Sequence, residues 1–148
     1  MKIFYQWCVI SLLLILTFSL KAQVHTSPRS ALFGRYANKL PTKPSELDKA
    51  FYSPVGTEIK FNFSNLDFTG IITSIVNRSK NLSSVIIKSA SLNNSVFSIS
   101  KKINVDKTVT YIGRIINEKY ADGYEIIKDS TGNYTFNKIK TESILQDY

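Results

Sequence analysis

Glu58-Ile59-Lys60-Phe61-Asn62-Phe63 is the stretch on which the fold turns. Apolar and polar side chains alternate there with a period of two, which sets Ile59, Phe61 and Phe63 on one buried face of a β-strand and their neighbours in water. Downstream the same kind of sequence recurs at 69–76, 83–89, 95–101, 109–117, 124–128 and 133–139, all rich in Val, Ile, Thr, Tyr and Phe, which pack well on a pleated surface. Polar connections separate these runs, among them Leu92-Asn93-Asn94, Asp122-Gly123 and Asp129-Ser130-Thr131-Gly132. About seven strands on links this short predict an antiparallel meander whose apolar faces are hidden by closing into a small barrel or folding into a sandwich. Both architectures stay open. The last hairpin is the most specific local expectation: Asp129 to Gly132 fits a type I turn with Gly132 in the left-handed position, between Tyr124-Glu125-Ile126 and Tyr134-Thr135-Phe136.

Working towards the N-terminus, the period changes before Gly56. Ser45-Glu46-Leu47-Asp48 after Pro44 has the form of a helix start with Ser45 as N-cap, and Ser53-Pro54 stops the helix within about two turns. From Gln23 to Pro44 no period is sustained, although Leu32, Phe33, Tyr36 and Leu40 have rough helical spacing. The start of the chain has Lys2, an apolar run from Val9 to Leu16 extending through Leu20, and then Lys21-Ala22-Gln23. Those are the three parts of a secretory signal, and the run is shorter than the ~20 residues a spanning helix needs. Cleavage is expected after Ala22; Leu20, large for a position three before a cleavage site, leaves an uncleaved anchor as the alternative. The expected organisation is a signal peptide at 1–22, a lead-in segment with one short helix at 23–54, and an all-β domain at 55–148, exported to the periplasm or beyond the cell, with no transmembrane span in the mature chain.

Composition agrees with one folded domain. Of 148 residues, 43% are hydrophobic and 12% aromatic, well above the level at which chains stay disordered. Cys8 is the only cysteine and leaves with the signal, so the mature chain has neither a disulfide nor a thiolate for metal. Removing Lys2 and Lys21 leaves 17 basic residues against 11 acidic ones, a net charge of about +6. The basic residues are mostly single lysines spread along the chain, the pattern of a solvated surface more than of a dedicated anion site.

Candidate chemistry is sparse. His25 is the only histidine and lies in the segment just past the expected cleavage point. Nucleophilic catalysis needs a base held rigidly beside its nucleophile, and zinc hydrolysis needs several converging ligands. Neither pattern is present, and no phosphate-binding glycine loop or cofactor fingerprint appears. Expected are therefore no catalytic, cofactor-binding or metal-ligating residues. Paired-carboxylate hydrolysis is formally open through Glu118, Asp122, Glu125 and Asp129. Turn chemistry accounts for Asp122 and Asp129, and strand phase puts Glu125 outward. Asn-x-Ser/Thr triplets at Asn62, Asn77, Asn81, Asn93 and Asn133 are what an Asn- and Ser-rich chain shows by chance, and Asn62 lies inside the clearest strand. A single-strand nucleic-acid barrel would present aromatics to bases, whereas Phe61, Phe63, Tyr134 and Phe136 are in phase with aliphatic core positions.

The succession Val55-Gly56-Thr57-Glu58-Ile59, Phe68-Thr69-Gly70-Ile71-Ile72, Ser84-Val85-Ile86-Ile87, Phe97-Ser98-Ile99, Tyr111-Ile112-Gly113-Arg114-Ile115, Gly123-Tyr124-Glu125-Ile126 and Gly132-Asn133-Tyr134-Thr135-Phe136 resembles the propeptide-like N-terminal β domains that precede the catalytic or adhesive parts of secreted bacterial proteins, notably zinc metallopeptidases. The resemblance covers about two thirds of the chain and implies a non-enzymatic domain that helps a partner fold or holds it inactive. No peptidase follows before Tyr148, so the expectation is a binding protein or occluding inhibitor of a separately encoded secreted peptidase or surface protein, or a remnant of a larger protein. A thiol switch on zinc is excluded by the absence of a mature cysteine. The alternative expectation is a basic protein that binds a polyanion or an envelope glycan, with binding that weakens steeply in salt; no specific nucleic acid is expected.

Overall fold

The computed structural model describes residues 29–142; the expectations for residues 1–22, Cys8 and His25 lie outside them. The chain forms one antiparallel sheet of eight strands, curled into a half-barrel around its core, with one short helix. The strands are β1 (Lys39–Thr42), β2 (Glu58–Phe63), β3 (Leu66–Ser79), β4 (Leu82–Ser89), β5 (Ser95–Ile103), β6 (Val109–Ile116), β7 (Asp122–Lys128) and β8 (Tyr134–Lys140). Their order across the sheet is β1-β8-β7-β6-β5-β4-β3-β2. From β2 to β8 this is the expected meander, each strand pairing with the next in sequence.

The alternation in β2 holds, with Ile59, Phe61 and Phe63 buried and Glu58, Lys60 and Asn62 exposed. Every other strand sends residues into the same core, where Phe97 of β5 meets Phe61, Phe63, Phe68 and Phe136 at centroid distances of 5.5, 5.9, 5.6 and 5.7 Å. The side chains expected in the core at Phe61, Phe63, Tyr134 and Phe136 are there, which removes them as stacking platforms for bases. Curvature comes from a register shift between Ile72 and Ser74 in β3, since an extra residue on one strand bends it and increases its twist. The 14-residue β3 can thus pair with β2 over its first half and with β4 over its second. Gly113 sits where backbone must approach backbone, because a Cβ there would stand 2.6 Å from the Ser98 carbonyl oxygen. The final hairpin is as expected: Gly132 has φ +91°, and the Asp129 carboxylate accepts hydrogen bonds from the amides of Thr131 and Asn133.

Three local expectations need correction. Lys39–Thr42, in the segment expected to lead in without strands, is strand β1 and pairs with β8; Phe33 and Leu40, whose spacing looked helical, are both fully buried in the sheet's core. The pairing partner lies about 100 residues away, so local periodicity carries no sign of it. The helix, α1 (Pro44–Asp48), continues as a 3₁₀ turn over Lys49–Phe51, and its N-cap is Lys43, with no side-chain cap bond. Ser45 lies inside α1 because Pro44, whose fixed φ suits the first helical position, starts it two residues earlier than expected. Asp122, assigned to a turn, is the first residue of β7; the β6–β7 turn is closed upstream, by the Tyr120 amide bonded to the Asn117 carbonyl.

Candidate functional site

The four carboxylates singled out in the sequence do not converge. Asp122 is buried, and its two oxygens accept the amides of Leu32 at 2.6 Å and Phe33 at 3.0 and 3.1 Å, pinning the segment before β1 to the sheet. Asp129 lies beyond the opposite end of β7 in the hairpin turn, about 23 Å away at ~3.3 Å per residue. Glu125 projects from the outer face and is held by Arg114 on β6, with Nε 2.9 Å and Nη2 2.7 Å from its Oε1. Glu118 is exposed in the β6–β7 connection. Hydrolysis by two carboxylates needs both flanking one bond, about 5–9.5 Å apart, and opposite faces and opposite ends of a strand do not provide that. Among the described residues no group of three or more His, Cys, Asp or Glu is placed to hold a metal ion, and no helix is long and apolar enough to cross a membrane.

A partly buried cluster of titratable groups joins α1 to the sheet. Lys101 Nζ of β5 lies 2.6 Å from Asp48 Oδ1 and over the rings of Phe51 and Tyr52, at 5.8 and 5.4 Å from their centroids. Burial works against the Asp48 carboxylate, but the Lys101 ammonium and the hydroxyls of Tyr111 and Tyr52 outweigh it and hold the carboxyl below its usual range. The same pairing outweighs burial at Lys101 and raises its ammonium above the usual value. Tyr111 is raised mainly by burial, reinforced by Asp48. Every charge here has a partner, which is the chemistry of a latch; a reactive lysine or carboxylate would instead be shifted towards neutrality.

The outer face of the sheet has a different character. Antiparallel sheets commonly keep one face polar for water. Here four Ile-Ile doublets, Ile71-Ile72, Ile86-Ile87, Ile115-Ile116 and Ile126-Ile127, each place one isoleucine in the core and the other on the outer side of the sheet. Ile112, with a Gly on its inward-facing neighbour, is 59% exposed, and Ile71, Ile86 and Ile127 are 48, 39 and 41% exposed. The strand register spaces them across the face: Ile71 stands opposite Lys88, and Ile86 and Ile112 lie on β4 and β6 with β5 between them. Ile86 stands opposite Ser98 and Ile112 opposite Ser100. Ser84, bonded to Ser100 at 2.8 Å, and Ser98 are on the same face, as are Lys88 and the Arg114–Glu125 ion pair. Doublets of this kind are the signal by which sequence alone could have found the surface, because strict alternation would put a polar residue at one position of each pair.

Folding also gathers charges that look scattered in the sequence. Arg29, Lys39, Lys138 and Lys140 line one groove of about 750 Å³ beside β1 and β8, with Asp122 and Glu142. Lys138 Nζ bonds to the Tyr36 carbonyl at 2.7 Å and lies over the Tyr124 ring. Burial, and after it the neighbouring Asp122, pushes the Tyr124 hydroxyl up to about 12; that hydroxyl donates to the Ala37 carbonyl. Comparison with known proteins finds no matching family model, no matching curated protein and no matching solved structure.

Proposed function

We propose that this chain is an exported, non-catalytic β module that acts by contact with another protein through the outer face of its sheet, in the manner of the propeptide-like domains it resembles. The observation that supports this reading is the isoleucine-studded outer face. Solvent-facing strand positions carry Ile71, Ile86, Ile112 and Ile127, four large apolar side chains on a face that antiparallel sheets commonly keep polar, and exposed apolar surface on a folded domain is where partners bind. The partner class is a secreted peptidase or a surface protein, and the mode is occlusion or assistance in folding. No residue is assigned a catalytic, metal-binding or cofactor-binding role.

The test is affinity capture of the protein from an extract of its own cell's exported proteins, at low and at high salt, with an Ile86→Lys/Ile112→Lys variant alongside. A discrete protein retained through high salt by the wild type and lost by the variant supports the reading. Retention unchanged in the variant overturns it. The basic groove formed by Arg29, Lys39, Lys138 and Lys140 favours a second reading, binding of a polyanion or envelope glycan. In that case retention disappears at high salt and is indifferent to the isoleucines.

A further inference from the structure

We infer that two copies of this chain pair through the free edge of β2 and join their sheets about a two-fold axis at Ile59. This inference is independent of the outer-face reading. The two edge strands of the sheet are β1 and β2. On β1 the edge is blunted, because the strand has four residues and Pro41 among them lacks an N–H. On β2 the direction of each backbone group follows from the tight turn to β3. Phe63 and Leu66 flank a two-residue turn with Ser64 at φ +61°, so Phe63, Phe61 and Ile59 exchange hydrogen bonds with β3 while Asn62, Lys60 and Glu58 face away. The outward Asn62 amide confirms the phase: it donates to Glu46 Oε1 of α1 at 2.8 Å. That contact seals one end of the edge. At the other end Gly56, at φ +88°, bonds to the Ile72 carbonyl and ends the strand. Between the two stops, the edge-facing N–H and C=O groups of Glu58 and Lys60 have no partner among the described residues.

This short open edge is complementary to itself. Set antiparallel to a second copy with Ile59 opposite Ile59, Glu58 of each copy lies opposite Lys60 of the other. Both residues are then in hydrogen-bonded pairs, which gives four backbone hydrogen bonds. Both side chains point to the exposed face, so the same register aligns two cross-strand ion pairs of opposite sign, the arrangement that favours strand pairing. Shifting the register by two residues in either direction sets Lys60 against Lys60 or Glu58 against Glu58, which like-charge repulsion disfavours. Lys60 already stands 3.5 Å from Asp67, but both of those side chains are more than half exposed and such a contact competes weakly. The occupant that fits the edge by charge is therefore a second copy of this chain.

The experiment is sedimentation equilibrium of the chain purified as its cell exports it, from ~10 μM to ~1 mM, with Glu58→Lys, Lys60→Glu and the double exchange as variants and far-ultraviolet circular dichroism to verify folding. The expected result is a mass rising with concentration towards twice the monomer for wild type, a monomer throughout for each single variant, and recovery of the dimer when both charges are exchanged. Exchange keeps the ion pairs while reversing them, so a merely structural effect of either residue would not be rescued. A wild type that stays monomeric up to ~1 mM, single variants that dimerise like wild type, or a double variant that fails to recover would each overturn the inference. None of these outcomes bears on capture through the outer face.

Discussion

Asp122 ties two distant parts of the chain together. Its carboxylate is buried at the start of β7 and receives the backbone amides of Leu32 and Phe33, so it supplies the partners that an irregular segment lacks. Phe33, held there, is fully buried and meets the Tyr124 ring at 5.3 Å. A hydrogen bond to a charged group contributes more than a neutral one, and removing the acceptor leaves two amides stranded. Asp122→Ala is expected to lose about 2–4 kcal/mol of stability, with Asp122→Asn losing less because one acceptor oxygen survives. Urea unfolding measures both; a loss under ~0.5 kcal/mol for the alanine variant, the range of an ordinary surface change, would show that the segment is held by packing alone. In the sequence this role is hidden, since an Asp before a Gly reads as a turn. Nothing local signals that its partners stand some 90 positions earlier.

At the level of elements, the pairing of α1 with the sheet is titratable and its direction can be worked out. Asp48 is held below its ordinary value of 3.8 in the folded protein by its contacts with Lys101, Tyr111 and Tyr52. A depressed carboxyl contributes stability that is fully present above about 3.8 and is lost as pH falls through the folded value. Lys101, raised above 10.5, contributes stability that is present below that value and lost as pH climbs past it. Neutralising the pair should therefore matter between these limits. Asp48→Asn is expected to be less stable than wild type at pH 6, with the difference shrinking below pH ~4; thermal unfolding at pH 2.5, 4 and 6 measures it, and a difference constant over that range would disprove the latch. Strands were legible in proportion to how locally they are determined. β2 shows itself by alternation, and the β7–β8 hairpin by Asp129 and Gly132. By contrast β1 has one buried residue in four, Leu40, and a proline, so only its pairing with β8 makes it a strand.

For the whole molecule, one core serves every element. Phe97 touches four other phenylalanines from β2, β3 and β8, and α1 adds Leu47 to the same cluster. Phe97→Ala is expected to cost about 3–5 kcal/mol and to leave unfolding all-or-none, with near- and far-ultraviolet circular dichroism giving coincident transitions. Separated transitions would mean that β1 and its neighbourhood form a unit of their own. The class of fold was readable because alternation and turn chemistry are local. The groove of Arg29, Lys39, Lys138 and Lys140 was not, because its charges come from opposite ends of the chain and only the β1–β8 ladder brings them together.

That ladder also sets an order of events in time. Strands β2 to β8 can form one after another as the chain emerges from the ribosome, each against a neighbour only a few residues old. β1 appears first and waits, because its partner β8 arrives about 100 residues later and closing so large a loop is slow. Until then Leu40 and Phe33 are uncovered, and the nascent protein displays an adhesive end that its finished form conceals. The last strand made completes the first.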